Sequence, residues 1–228
     1  MKQPLPRQVY TALRNRLLDG TLTPGSRLDY KQLAVELEVS TTPVREAVTQ
    51  LASEGYVELV PRLGAIVRSL NQTSAKEYYE VREAVETFAT LKAAERLSAR
   101  HLELLNRHFD TMQALSEKLD AEGGQFLDSA DLFTFLDADI SFHKAILLGA
   151  RNSALARTVE ESHIQSRIFY ADRGVHDRKR ISMACKQHRE ILDALEKRDG
   201  SAAAEAMRNH IQTSLSFTLE HLEAAVEA

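Results

Sequence analysis

The chain contains very little cysteine and no long apolar run, and each shortage excludes a class of protein. The single cysteine, Cys185, rules out an internal disulfide, and the lack of a Cys-x-x-Cys pair excludes a cysteine-based zinc site. No run of about 18 apolar residues is present, and residues 1–6 lack the apolar block of a signal peptide. We therefore expect a cytoplasmic protein that does not enter a membrane.

The formal net charge is −4, which argues against a general polyanion binder. Residues 1–70 carry nine Lys and Arg against seven Asp and Glu, whereas residues 71–228 carry 20 against 26. With 228 residues, of which 43% are apolar, the chain is long enough for two packed domains. We predict one domain over residues 1–70, able to approach phosphate through placed contacts, and a second over residues 71–228.

Residues 39–51 predict a short helix with one buried face and one contact face. Thr41, Thr42, Arg45 and Thr49 share the polar side, and small hydroxyls beside an arginine suit a helix that enters a DNA major groove. Ser40 or Thr42 can cap the helix start. Alone, the pattern fits an ordinary surface helix equally well. The apolar positions at helical spacing are Val44, Ala47, Val48 and Leu51.

The elements around this helix favour DNA binding. Helices are predicted over residues 6–19 and from Asp29, where Gln32 is placed as in a capping box, so that the contact helix completes a helix-turn-helix. The strand-forming runs 56–60 and 65–68 then predict a β-hairpin. The whole is a winged helix-turn-helix. Its wing tip presents the cation Arg62 and the glycine Gly64.

These residues resemble the DNA-binding domain of the GntR family of bacterial transcription regulators. The matching motifs include Gly20-x-Leu22-x-Pro24-Gly25-x-x-Leu28 and Val39-Ser40-x-Thr42-Pro43-Val44-Arg45-Glu46-Ala47. Family members usually have arginine where this chain has Thr41, and often where it has Lys31. Position 41 therefore lacks a bidentate donor for guanine, and the operator sequence cannot be transferred from relatives. The resemblance implies DNA contacts from Lys31, Ser40, Thr41, Thr42, Arg45, Arg62 and Gly64.

Beyond residue 70 the chain has few prolines or glycines, no strand pattern and long helical periodicity. We predict an all-α six-helix bundle, and therefore a mainly α protein. The helices are expected at about residues 73–98, 100–121, 130–149, 152–172, 175–198 and 201–226.

Three of these helices carry polar residues on apolar stripes. Asp139 and His143 are one turn apart on the third helix, while His188 and His210 lie on the fifth and sixth. At ~1.5 Å rise per residue, the last two each lie roughly 15 Å from the turn at 199–200, so they should meet side by side. Such a set suits a divalent ion, zinc first, with nickel or manganese as alternatives. The alternative is that each histidine is a hydrogen-bonded core residue.

The same half contains Val81-Arg82-x-x-Val85-Glu86, Asp139-x-x-Phe142-His143 and Ala150-x-Asn152-x-x-Leu155, followed by His188 and His210 among leucines. These motifs resemble the FCD ligand-binding domain of the FadR subfamily, and the six helices look more like its VanR subgroup. The resemblance implies a metal held by the aspartate and three histidines, with a small carboxylate effector completing its coordination. It also places Arg82 in the effector cavity, and Asn152 and Arg167 are further candidates for lining it. Alternatively, Arg82 forms an exposed pair with Glu86, and Asn152 is a helix cap. The apolar positions expected on the Arg82 helix are Tyr78, Val81, Val85 and Phe88.

Two functions follow from these patterns. The first is a metabolite-responsive regulator, usually a repressor in this family, that binds double-stranded palindromic operator DNA as a homodimer because two half-sites need two winged helices. The second is a helical metalloenzyme in which the bound ion activates water. The second has less support, because no further Glu, Asp or His occurs at helical spacing beside the ligands to act as a base.

Overall fold

The computed structural model describes residues 4–69, 71–155 and 176–227. These residues form two compact units, residues 4–69 and residues 71–155 with 176–227. In the part of the chain so described, no helix is long and apolar enough to span a lipid bilayer.

The first unit contains three helices and a three-stranded sheet around one apolar core. The predicted apolar face of the contact helix, from Val44 to Leu51, is buried in that core. The elements are α1 (Leu5–Leu18), β1 (Arg27–Leu28), α2 (Tyr30–Glu36), α3 (Thr41–Ser53), β2 (Val57–Val60) and β3 (Gly64–Val67).

Helix α2 begins at the predicted cap, Asp29. One carboxylate oxygen of Asp29 accepts hydrogen bonds from the backbone N–H groups of Gln32 and Lys31, at 3.1 and 2.8 Å, and these bonds lower the pKa of Asp29. The Gln32 side chain does not complete a capping box, because its amide donates to Glu36 instead. At the start of α3, Ser40 occupies the cap position, but its side chain makes no capping hydrogen bond.

The sheet has the strand order β1-β3-β2 with antiparallel pairing throughout. Strands β2 and β3 form the predicted hairpin, with Val57 opposite Val67. Strand β1 was not predicted, and it pairs Arg27 with Ile66 on β3. Two residues are too few to show the alternation that identifies a strand, so tertiary pairing alone defines this one.

The second unit is helical throughout the five elements that its described residues form. These elements match the predicted first, second, third, fifth and sixth bundle helices, with ends displaced by three residues or fewer. The predicted fourth helix, 152–172, lies mostly outside the described residues. The five are α4 (Gln72–Arg96), α5 (Ala99–Ala121), α6 (Ser129–Gly149), α7 (Arg178–Glu196) and α8 (Gly200–Glu227).

Side-chain caps account for where these helices begin. Ser98 and His101 bond each other reciprocally at the start of α5, so His101 has a capping role. Capping bonds satisfy backbone N–H groups that would otherwise lack a partner in the first turn. The other four capping residues are Asn71, Asp128, Asp177 and Asp199.

The buried face of α4 differs from the prediction. Val81 and Phe88, which were expected on the apolar face, are 45% and 46% exposed. The interior instead receives Tyr79, Arg82 and Glu86, each less than 5% exposed. The two charged residues tolerate burial because the Arg82 Nε atom donates to Glu86 Oε1 at 2.6 Å. Hydrophobic periodicity cannot identify a face that a polar pair occupies.

Candidate functional site

The predicted contact residues of α3 lie at the surface of the first unit. Thr41, Thr42 and Arg45 are exposed, and the Arg45 guanidinium lies 5.6 Å from the centre of the Tyr30 ring, within cation–π range. The Thr49 hydroxyl donates to the backbone carbonyl of Arg45 at 2.8 Å, so it is committed to its own helix. Exposed hydroxyls and one oriented cation suit contacts with phosphates and base edges.

The wing tip is formed by backbone in the left-handed region. Arg62 is exposed with φ 68°, and Gly64 follows with φ 94°. A Cβ atom added at Gly64 would meet no atom within 4 Å, so the backbone conformation, and not crowding, favours glycine here. The two other residues of the predicted DNA-contact set, Lys31 and Ser40, are also exposed.

Four predicted metal ligands meet inside the second unit. We call Asp139, His143, His188 and His210 the ligand cluster, because one ligand atom of each lies within 4.8 Å of all the others. His188 Nε2 is 3.2 Å from Asp139 Oδ1 and 3.3 Å from His143 Nε2. The ring centroids of His188 and His210 are 4.4 Å apart, as expected from their equal distances from the turn between α7 and α8.

Each imidazole of the ligand cluster has its Nδ1 atom next to an acceptor. An imidazole that donates its Nδ1–H keeps a lone pair on Nε2, so these acceptors assign the tautomer in which Nε2 is the ligand atom. The pairs are His143 Nδ1 with Glu86 Oε2 at 2.6 Å, His188 Nδ1 with the Ala184 carbonyl at 2.7 Å, and His210 Nδ1 with Gln187 Oε1 at 3.2 Å.

The charge states in the ligand cluster suit a bound cation. Burial alone would raise the pKa of Asp139, but the adjacent His188 ring and the fields of the other imidazoles outweigh burial and hold that pKa well below its usual value. Burial lowers the pKa of His210 well below its usual value, and the neighbouring His188 and His143 lower it further. The cluster therefore offers a carboxylate and a neutral His210 ring, which are the forms that bind metals.

The spacing of the donors also fits a metal ion. Metal–nitrogen bonds of about 2.0–2.1 Å place adjacent ligand nitrogens roughly 3 to 3.4 Å apart. The separation of 3.3 Å between His143 Nε2 and His188 Nε2 falls in this range. With both protons assigned to Nδ1, the two lone pairs face each other, an arrangement that a shared cation stabilises. Three imidazoles and one carboxylate suit a borderline divalent ion and leave a coordination position open in a five- or six-coordinate site.

Comparison with known families identifies both units. Residues 5–67 match the gntR family of bacterial regulatory proteins, and residues 77–213 match the FCD domain. The chain belongs to the GntR family. It is a transcription regulator of the GntR type with an FCD domain, which agrees with the FadR-type resemblance. The metalloenzyme alternative is therefore not favoured, and the VanR subgroup stays a prediction.

Relatives of this GntR-family chain are similar over almost its whole length. The HTH-type transcriptional repressor RspR of Escherichia coli is 26% identical over 92% of this chain and 87% of its own. The "Probable D-xylose utilization operon transcriptional repressor" of Paenarthrobacter nicotinovorans is 30% identical over 97% and 93%. The solved structure of E. coli McbR/YncC has the same fold, with a TM-score of 0.78 at 22% identity, covering 96% of this chain and 99% of that one.

Arg82 of this GntR-family protein forms the pair with Glu86 that the alternative interpretation predicted, but not at the surface, and its effector role stays a prediction. It is buried, not exposed, and its guanidinium is paired with Glu86. The rings of Tyr78 and Tyr79 lie 5.9 and 5.5 Å from the guanidinium carbon. The arginine is therefore already charge-paired before any effector is considered, and Glu86 in turn contacts His143.

The two other predicted effector residues have different outcomes. Asn152 makes the contacts of the helix-cap alternative, because its Oδ1 atom accepts from the backbone N–H groups of Ala154 and Leu155 at 3.1 and 3.3 Å. Arg167 lies outside the described residues. An effector role for either residue stays a prediction.

Two residues next to the ligand cluster were missed from the sequence. Glu86 was considered only as a surface partner of Arg82, and Gln187 was not considered. Helical spacing placed Glu86 one turn after Arg82, but the contact of Glu86 with His143 spans 57 residues of sequence. Contacts between helices depend on the rotation of each helix about its own axis, which the misassigned face of α4 left incorrect.

Proposed function

We propose that this chain is a repressor whose binding to a palindromic operator is controlled by a small organic acid held at a divalent metal ion. The observation that carries the proposal is the convergence of the ligand cluster within the FCD-domain match of a GntR-family chain. In this proposal residues 1–70 bind DNA, while residues 71–228 bind metal and effector and form the homodimer. The protein acts in the cytoplasm.

Exposure and fold support the DNA half of the proposal. A helix that presents short hydroxyls and an arginine suits the major groove, and the wing supplies a cation for an adjacent phosphate. Two such modules under two-fold symmetry read a palindrome. Repression follows the names of the E. coli and Paenarthrobacter relatives. The proposed contacts are Lys31, Ser40, Thr41, Thr42, Arg45, Arg62 and Gly64.

The ligand cluster supports the sensing half. Its carboxylate and three imidazoles would hold zinc, or alternatively nickel or manganese, and the ion would supply positive charge and an open coordination position for a carboxylate. The chain itself orients the imidazoles through their Nδ1 partners. It also limits water, since Phe142 is fully buried with its ring centroid 4.8 Å from that of His188. Arg82, Asn152 and Arg167 are the proposed effector contacts.

An effector changes DNA binding only if it prefers one arrangement of the dimer. A carboxylate that binds more tightly to the arrangement unable to span both half-sites shifts the population away from DNA. A 100-fold difference in effector affinity corresponds to about 2.7 kcal/mol of coupling.

Fluorescence anisotropy with DNA from upstream of the coding gene tests this function. The metal-loaded protein should bind the duplex, and one or more members of a panel of sugar acids, hydroxy acids, dicarboxylates and aromatic acids should release it. Removing the metal with a chelator should abolish the response to the acid. DNA binding without any acid response, before or after metal loading, would contradict the sensing role. Hydrolytic turnover by a metal-loaded protein that does not bind DNA would instead favour the enzyme.

A further inference from the structure

Glu86 bonds with both of its carboxylate oxygens inside the second unit. Its side chain is 2% exposed, Oε1 accepts from Arg82 Nε at 2.6 Å, and Oε2 lies 2.6 Å from His143 Nδ1. The carboxylate thus links a buried guanidinium on α4 to a member of the ligand cluster on α6. Burying the Glu86 carboxylate without such partners would cost folding free energy, so the contacts with Arg82 and His143 together compensate for its burial.

Glu86 differs from the acceptors that orient the other two imidazoles. His188 donates to a carbonyl of its own helix, and the acceptor next to His210 is the neutral amide oxygen of Gln187. Only His143, among the three, has a charged acceptor at its Nδ1 atom. Charge-assisted hydrogen bonds are shorter and roughly twice as strong as neutral ones, and a carboxylate on Nδ1 makes the opposite nitrogen a better ligand.

Arg82 fixes the position of that carboxylate. Its Nε–H donates along the guanidinium plane, and the rings of Tyr78 and Tyr79 restrict the guanidinium. Rotation of the Glu86 side chain away from His143 would break the ion pair in a buried site. Arg82 therefore acts on the ligand cluster through the Glu86 carboxylate, which it holds beside His143.

We infer that Glu86 is a positioning residue for the metal centre, and that Arg82 contributes to metal affinity through it. The inference rests on the proposed function, because it presupposes that the ligand cluster binds an ion. It gives the buried Arg82–Glu86 pair a role in metal affinity, which is separate from the proposed contact of Arg82 with the effector. An anion that bound Arg82 would compete with Glu86 for the guanidinium. Because Glu86 also contacts His143, such an anion would affect the metal ligand His143.

The test measures the affinity of the full-length protein for Zn²⁺ by competition with a chromophoric chelator. Glu86→Ala should weaken binding about 10- to 100-fold, the usual effect of removing an outer-shell partner of a metal-bound histidine. Glu86→Gln keeps an oxygen acceptor and should recover part of the loss. The matched control is Glu83→Gln, which removes a carboxylate from the same helix where it contacts Gln212 and Arg208, and it should bind Zn²⁺ like the wild type.

A double-mutant cycle tests the part played by Arg82. Arg82→Met should lower Zn²⁺ affinity, and Arg82→Met/Glu86→Gln should lose less than the sum of the two single losses because both act on one bond. If Arg82→Met folds poorly, the double variant, which removes the buried charge, should still bind Zn²⁺ more weakly than the wild type. Visible spectra of the Co²⁺-loaded variants should shift with Glu86 and not with Glu83.

Two outcomes separate this inference from the proposed function. If wild-type protein binds no Zn²⁺, Co²⁺, Ni²⁺ or Mn²⁺, both the metal site and the inference are rejected. If the wild type binds and the Glu86 variants bind equally well with unchanged Co²⁺ spectra, the inference alone is wrong. In that case Glu86 serves only to neutralise Arg82.

Discussion

His188 and His210 lie with their ring centroids 4.4 Å apart, although they come from different helices, α7 and α8. This contact brings two imidazoles to the Asp139–His143 pair of α6 and so completes the ligand cluster. The helical hairpin is therefore the element that assembles the centre.

Removal of either imidazole should therefore remove the metal. We expect His188→Ala and His210→Ala each to lower the bound metal from about one ion per chain to near zero. Each should also abolish the rise in melting temperature that metal produces, because an ion that binds only the folded state stabilises it by mass action. Elemental analysis and paired melting curves with and without metal check this. The control His108→Ala, on α5 and outside the ligand cluster, should keep both the bound metal and the rise in melting temperature. A full complement of metal in His188→Ala and His210→Ala would disprove the assignment.

Arg45 should carry a contact to the operator. Arg45→Ala is expected to weaken operator binding by about 1–3 kcal/mol if the guanidinium reads a base, or to reduce the salt dependence by about one unit of slope if it contacts phosphate. Anisotropy titrations at several salt concentrations distinguish the two. Arg107→Ala, an exposed arginine of the second unit, is the control, and metal content should be unchanged in both variants. Unaltered affinity and slope in Arg45→Ala would reject the contact.

Arg82 should affect both stability and response. Arg82→Ala leaves the Glu86 carboxylate buried without its cation, which typically costs about 3–5 kcal/mol, and it should also abolish acid-induced release from DNA. Urea unfolding and anisotropy measure the two effects separately. Arg208→Ala, which breaks exposed pairs with Glu205 and Glu83, should cost about 1 kcal/mol or less. A folded Arg82→Ala protein that responds to the effector at the wild-type concentration would contradict an effector role.

The metal-free protein should lose stability on acidification. His210 has a folded-state pKa well below its ordinary value, so the unfolded chain binds more protons below a pH of about 6.5, and stability falls as the pH decreases from there. Asp139, whose pKa is also depressed, adds a loss only below about pH 4. Unfolding free energies between pH 8 and 5 test this, and His210→Gln should reduce the slope by up to about 1.4 kcal/mol per pH unit. An identical slope in that variant would exclude His210 as the source.

Periodicity and turn geometry were sufficient for much of the fold. The helix-turn-helix, the hairpin and the shared depth of His188 and His210 depend on rise per residue and on the positions of turns, which are local properties. The long helices of the second unit were predicted from helical periodicity that continues over many turns. These features were therefore predicted from the sequence and are present in the structure.

Pairing between distant residues could not be predicted. Strand β1 exists only through its bonds to β3, and Glu86 acquires its role only when α4 turns its polar pair inward against His143. The exposed Val81 and Phe88 show the cause, because an amphipathic pattern assigns the apolar stripe to the core by default. In α4 the polar side faces the core instead, because the buried Arg82–Glu86 pair has an interior partner in His143.

Anomalous diffraction from crystals of the protein loaded with Zn²⁺ tests the central claim most directly. We predict one strong peak per chain, about 2.0–2.2 Å from the Nε2 atoms of His143, His188 and His210 and from a carboxylate oxygen of Asp139. No peak among these four side chains, or a zinc ion bound only elsewhere on the chain, would contradict a metal centre in the second unit.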